Sequence, residues 1–122
     1  MNYNMLVLAY IGDAYYELLV RDYLIDLGIC KVNDLKNKSL EFVTATRQAY
    51  FLTKILDMLS DDEVDIVKKG RNTKTHSRSK SCDIVTYRHA TAFECLIGYL
   101  YKNKKFNRIE EIFAKIVEVS GD

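Results

Sequence analysis

Two acids interrupt stretches that are mostly apolar and aromatic. Asp13 follows a glycine in residues 8–17 (LAYIGDAYYE), and Glu94 interrupts residues 91–98 (TAFECLIG). A carboxylate in such company is costly to bury unless it is paired, hydrogen-bonded or bound to a metal. If the two segments meet, the carboxylates repel and raise each other's pKa; a divalent cation reverses this by supplying the charge that keeps both ionised. Glu17 lies one turn after Asp13 on the same helix face and offers an outer or third ligand. Ion pairing is the competing use: Asp13 with Arg21, Arg47 or Arg88, and Glu94 with Arg88 or a tyrosine hydroxyl. The pattern alone does not choose. A zinc site strung from His76, Cys82, His89 and Cys95 lacks the short paired spacings of structural zinc centres. With Cys30 the cysteines are odd in number and none forms C-x-x-C, so they read as buried or free thiols rather than a disulfide framework.

Both acid-bearing segments need helices to position them. Proline is absent and glycine numbers only five, so little interrupts long helices in a chain of 122 residues, a length suited to one domain over residues 1–122. Residues 5–27 carry an apolar stripe with a wet opposite face, closed by Gly28. A short turn capped by Asn33 or Asp34 is expected next. A second long helix is expected over 39–59, with Leu40, Val43, Ala45, Phe51, Leu52, Ile55, Leu56 and Leu59 in the core. Ser60 and Glu63 form a capping box for a helix ended by Gly70. Residues 71–83 read as a loop, 87–101 as a strongly apolar helix, and Asn107 with Glu110 as the cap of a final amphipathic helix. The fold class is therefore all-α. Small residues beside the acids (Ala9, Gly12, Ala14; Ala90, Ala92, Gly98) suit close packing of the two helices. No apolar run reaches the roughly 18 residues of a membrane span, nor does a cleavable leader pattern open the chain, so a cytoplasmic location without membrane association is expected.

Net charge is +1 but unevenly spread. Residues 1–67 hold six Lys/Arg against eleven Asp/Glu, whereas residues 68–122 hold twelve against six. Residues 68–80 (KKGRNTKTHSRSK) carry six basic side chains and no acid, which points to a polyanionic partner.

The run YIGDA at 10–14, with RHATAFECLIG at 88–98, resembles the two signature helices of the ribonuclease III family. More closely, LAYIGDA, then KKGRN at 68–72, then TYRHATAFECLIGYLY at 86–101 is similar to the Mini-ribonuclease III branch, in the same order and over nearly the whole chain. The resemblance implies a single endonuclease domain of about five to seven helices. It makes Asp13 and Glu94 the catalytic, metal-binding carboxylates, with Glu17 as a further candidate ligand and Mg²⁺, or Mn²⁺ in its place, as cofactor. Full-length ribonuclease III has a glutamate where this chain has Ala9 and an aspartate where it has Thr91; the Mini branch resembles this chain at both points. The number of ions per site therefore stays open.

The implied reaction is hydrolysis of phosphodiester bonds in double-stranded RNA by a homodimer, leaving a 5′-phosphate and a 3′-hydroxyl; the Mini branch suggests the 23S ribosomal RNA precursor as substrate. With no sequence left for a separate RNA-binding domain, grip on the duplex is expected from Lys68, Lys69, Arg71, Asn72, Lys74, Arg78 and Lys80, with Arg88 near the site. A catalytically weak or inactive RNA-binding homodimer is the alternative, motivated by Ala9 and Thr91. A helical protein-interaction module would leave the basic cluster unexplained.

Overall fold

The computed structural model describes residues 3–73 and 82–121. Among them every regular element is helical: α1 over Met5–Asp26, α2 over Val32–Val43, α3 over Ala45–Ile55, α4 over Asp61–Asn72, α5 over Ile84–Lys102 and α6 over Phe106–Val119, with a 3-10 turn at Leu56–Met58. The all-α expectation holds. α5 is the axis of the fold, because its buried positions run round the whole helix, from Ala90 to Leu100. A helix apolar on all sides must be enclosed, and α1, α3, α4 and α6 pack against it.

The closest of these contacts is the crossing of α1 and α5. A Cβ added to Gly12 would stand 1.9 Å from the Glu94 carbonyl oxygen, and one added to Gly98 would stand 1.9 Å from that of Leu8. The two glycines let the backbones touch at two points one turn apart. α4 also approaches α5 closely, though against a side chain first: a Cβ on Gly70 would lie 2.9 Å from Cys95 Sγ and 3.0 Å from Ala92 Cα. Gly70 is therefore a packing residue inside α4 and not its stop; α4 runs on to Asn72.

The helix expected over 39–59 is two helices. Thr44 is extended, with ψ 155°, and its hydroxyl accepts a hydrogen bond from Arg47 N, so it ends α2 and caps α3 at once. The break resets the helical phase, leaving Leu40 exposed while Phe42, Gln48, Phe51, Leu52 and Ile55 turn inward; Leu56, in the 3-10 turn after α3, is exposed as well. A helix C-terminus leaves carbonyls without intrahelical partners, and side chains serve three of them here. Arg47 Nε donates to Glu41 O, Tyr16 Oη to Phe42 O, and Gln48 Nε2 to Val43 O. Arg47 also donates to Ser120 O, tying in the end of α6.

Other boundaries differ from expectation by local chemistry. α2 starts at Val32, ahead of Asn33 and Asp34. α5 starts at Ile84 because Asp83 caps it by accepting from Thr86 N at 2.7 Å. α6 starts at Phe106 behind Lys105, so Asn107 is not a cap. The Ser60–Glu63 capping box is present, and Glu63 also receives two hydrogen bonds of 2.9 Å from Arg108. The Arg108 guanidinium holds the Glu63 carboxyl below its ordinary pKa and joins α4 to α6.

Candidate active site

Because Gly12 abuts the Glu94 backbone, the side chain one residue on is delivered beside the Glu94 carboxyl. Asp13 and Glu94 come within hydrogen-bonding reach. Their surroundings differ. Glu94 is half-buried between α1, α3 and α5, whereas Asp13 faces solvent with Tyr10 and Ala14. The sequence suggested a buried Asp13; the outer face of α1 is instead apolar without being internal. Burial, followed by the neighbouring charge of Asp13, pushes the Glu94 carboxyl up to about 9, with Glu17 adding a smaller push. The opposing influence is the neighbouring Gln48 amide, which favours the ionised form of Glu94.

None of the cationic partners considered from sequence neutralises the pair. Arg21 lies 3.7 Å from Glu17. The Arg47 guanidinium is spent on the Glu41 and Ser120 carbonyls and stacks over the rings of Tyr50 and Phe51. Arg88 is exposed and forms no ion pair among the described residues.

Two adjacent carboxyls, one desolvated and held toward its acid form by the other, make a site short of positive charge. Its hard oxygen donors fit Mg²⁺ or Mn²⁺. Among the described residues no three of His, Cys, Asp and Glu gather as a ready-made cage. That donor count suits Mg²⁺, which keeps several waters and is commonly held by one or two carboxylates plus substrate phosphates. Glu17 is half-buried, lies beside Arg21 and adds its charge to that felt by Glu94. Neither departure from the longer enzymes adds a donor. Ala9 is buried against α5, and Thr91 donates its hydroxyl to Tyr87 O within its own helix.

Lys68, Lys69, Arg71 and Asn72 form the exposed last turns of α4. Lys69 is held by Asp65 at 2.9 Å. Lys68, Lys69 and Asn72 border an open cleft of about 890 Å³ that also meets Tyr3 and Tyr99. Arg88 lies six residues before Glu94 on α5, about 9 Å along the axis. Lys74, Arg78 and Lys80 lie outside the described residues, as does His76. Cys95 is buried with Sγ on Met5 O, Cys82 is half-buried and Cys30 is exposed, all as free thiols.

Sequence reading missed Gln48. Its signal was present: Gln48, Phe51, Leu52 and Ile55 share one helix stripe, and one polar residue in a core stripe asks what it bonds.

Comparison with known proteins adds three findings. A family profile described as the Ribonuclease III domain matches residues 6–105. Curated proteins named Mini-ribonuclease 3 align over most of the chain. The one from Brevibacillus brevis is 49% identical over 109 residues, covering 89% of this chain and 81% of its own. The one from Clostridium tetani is 44% identical over 118 residues, covering 95% and 78%. A crystal structure of a Fusobacterium nucleatum protein superposes with a TM-score of 0.85 at 33% identity, covering 96% of this chain and 93% of that one.

Proposed function

Since the chain belongs to the ribonuclease III family and is on that ground an endoribonuclease, we propose that it cleaves double-stranded RNA in a divalent-metal-dependent reaction, with Asp13 and Glu94 holding the ion. The observation that carries this reading is the meeting of those two carboxyls, from distant parts of the chain, with no guanidinium or ammonium paired to either among the described residues. Asp13, on the solvent side, would turn its oxygens toward an ion that an incoming backbone phosphate can also reach. Glu94, on the protein side, anchors the site to α5. An Mg²⁺ or Mn²⁺ ion bound there lowers the pKa of water and draws off charge that develops on the phosphate. Lys68, Arg71 and Arg88, with Lys74, Arg78 and Lys80, supply cations for the duplex backbone, which proteins read mainly through phosphates, 2′-hydroxyls and shape.

The enzyme acts as a cytoplasmic homodimer, and a ribosomal RNA precursor of the 23S type is its substrate. Two features support parts of this reading. The outer face of α1 exposes Val7, Tyr10 and Leu18, with Ala14 between them, a helical stripe suited to a second copy. Among the described residues no helix is long and apolar enough to cross a membrane.

The test uses one labelled RNA, as duplex and as single strand, with and without Mg²⁺, incubated with wild type, Asp13→Asn and Glu94→Gln. Expected are cleavage of the duplex by wild type in Mg²⁺ alone, and near-complete loss in both variants with helical circular dichroism retained. Duplex binding without cleavage by wild type would instead support a non-catalytic RNA-binding protein.

A further inference from the structure

Gln48 is among the few polar side chains in the interior, 2% exposed, and it sits on α3 rather than on either acid-bearing helix. Its Nε2 donates to the Val43 carbonyl at 3.3 Å. A carbonyl oxygen accepts and never donates, so this contact fixes which end of the amide is nitrogen. The same –NH₂ group has a second hydrogen, and Gln48, on α3 packed against α5, lies near enough to Glu94 to favour its ionised form. Gln48 thus stands between the end of α2 and the inner carboxyl of the site.

We propose that Gln48 is a positioning residue for the metal site: by donating to Glu94 it holds that carboxylate in the orientation that, together with Asp13, receives the cation. Among the described residues Glu94 has no cationic partner to fix its rotamer, and a glutamate side chain free to rotate makes a poor ligand. The device depends on the break at Thr44. The Thr44 carbonyl accepts from Gln48 N at 2.9 Å, so ending α2 and starting α3 sets the turn from which the amide reaches both acceptors. The amide is neutral, so it orients the carboxylate without competing with the cation for it.

This inference rests on the metal-dependent reading above, and its test separates the two. Mg²⁺ is titrated by calorimetry into wild type and Gln48→Met, which keeps side-chain length and removes both donors; melting is followed with and without Mg²⁺. Expected is a 10- to 100-fold weaker Mg²⁺ affinity, the usual range for loss of a group that orients a ligand. The rise in Tm on adding Mg²⁺ should shrink with it. In duplex cleavage the Mg²⁺ requirement should rise while KM for RNA holds. Gln48→Asn, which keeps the amide but draws it back by one methylene, should weaken Mg²⁺ several-fold and covers the case in which the Met variant fails to fold. A folded variant with wild-type Mg²⁺ affinity, or a loss of Tm identical with and without Mg²⁺, overturns the proposal and reduces Gln48 to a cap for α2. Failure of wild type itself to bind Mg²⁺ overturns both readings.

Discussion

Glu94 lies between opposing neighbours: burial and Asp13 favour its protonated form, while Gln48 favours the anion. In metal-free protein this couples stability to pH with a definite sign. A free glutamate titrates near 4.3, and Glu94 is raised to about 9 when folded. Below the unfolded value both states hold the proton and the contribution is complete. Above it only the unfolded chain releases the proton, so stability falls with rising pH until Glu94 ionises in the folded state. Metal-free wild type should therefore lose Tm between about pH 5 and 9 more steeply than Glu94→Gln. Added Mg²⁺ should restore most at the alkaline end, where the site is already deprotonated. Parallel Tm-against-pH curves for the two proteins would break the link. At this scale the acids were legible because each interrupts an apolar run. The exposure of Asp13 was not, because α1 carries aromatic and aliphatic residues on both faces, which hides its orientation. Gln48 escaped notice because its two acceptors belong to other helices.

Helix lengths and identities were largely readable, and the errors share a cause. Thr44 breaks a helical pattern without help from glycine or proline. What sustains the break is distant in sequence: Tyr16, 26 residues before Phe42, satisfies one of the carbonyls it exposes. Gly70 was misread because glycine both ends helices and admits close neighbours, and only the partner helix distinguishes the uses. The Gly12–Gly98 crossing gives the strongest expectation here. Both glycines oppose backbone atoms, which cannot rotate away as a side chain would. Gly12→Ala or Gly98→Ala should cost about 3 kcal/mol or more, at the upper end of overpacking. Either change should also reduce cleavage, because the shift separates Asp13 from Glu94. Gly28→Ala is the contrast: its φ of 94° is disfavoured for alanine but the space is open, so about 1 kcal/mol is expected. Urea denaturation of the three variants orders them; equal midpoints would contradict the crossing as the constraint that builds the site.

For the whole molecule, the exposed stripe on α1 and the basic end of α4 make separate claims. Tyr10 is 82% exposed and Leu18 61% exposed, a large apolar surface for one helix to leave in water. Tyr10→Asp with Leu18→Lys should shift sedimentation from dimer to monomer while leaving helicity intact; an unchanged sedimentation coefficient would remove α1 from the interface. The basic surface is tested by salt. Each phosphate neutralised by a side chain releases counterions and steepens the fall of log affinity with log salt by somewhat under one unit. Lys68 and Arg71 are exposed and form no ion pair among the described residues, so their charges are available to a duplex. Lys69 is already engaged by Asp65 and should contribute less. Lys68→Gln with Arg71→Gln, measured on Asp13→Asn protein so that the RNA stays intact, should flatten the salt slope by about one to two units. Lys69→Gln alone should change it by a fraction of that. If the double variant keeps the full slope, the end of α4 does not touch the backbone, and the cations that grip the duplex must lie elsewhere on the protein.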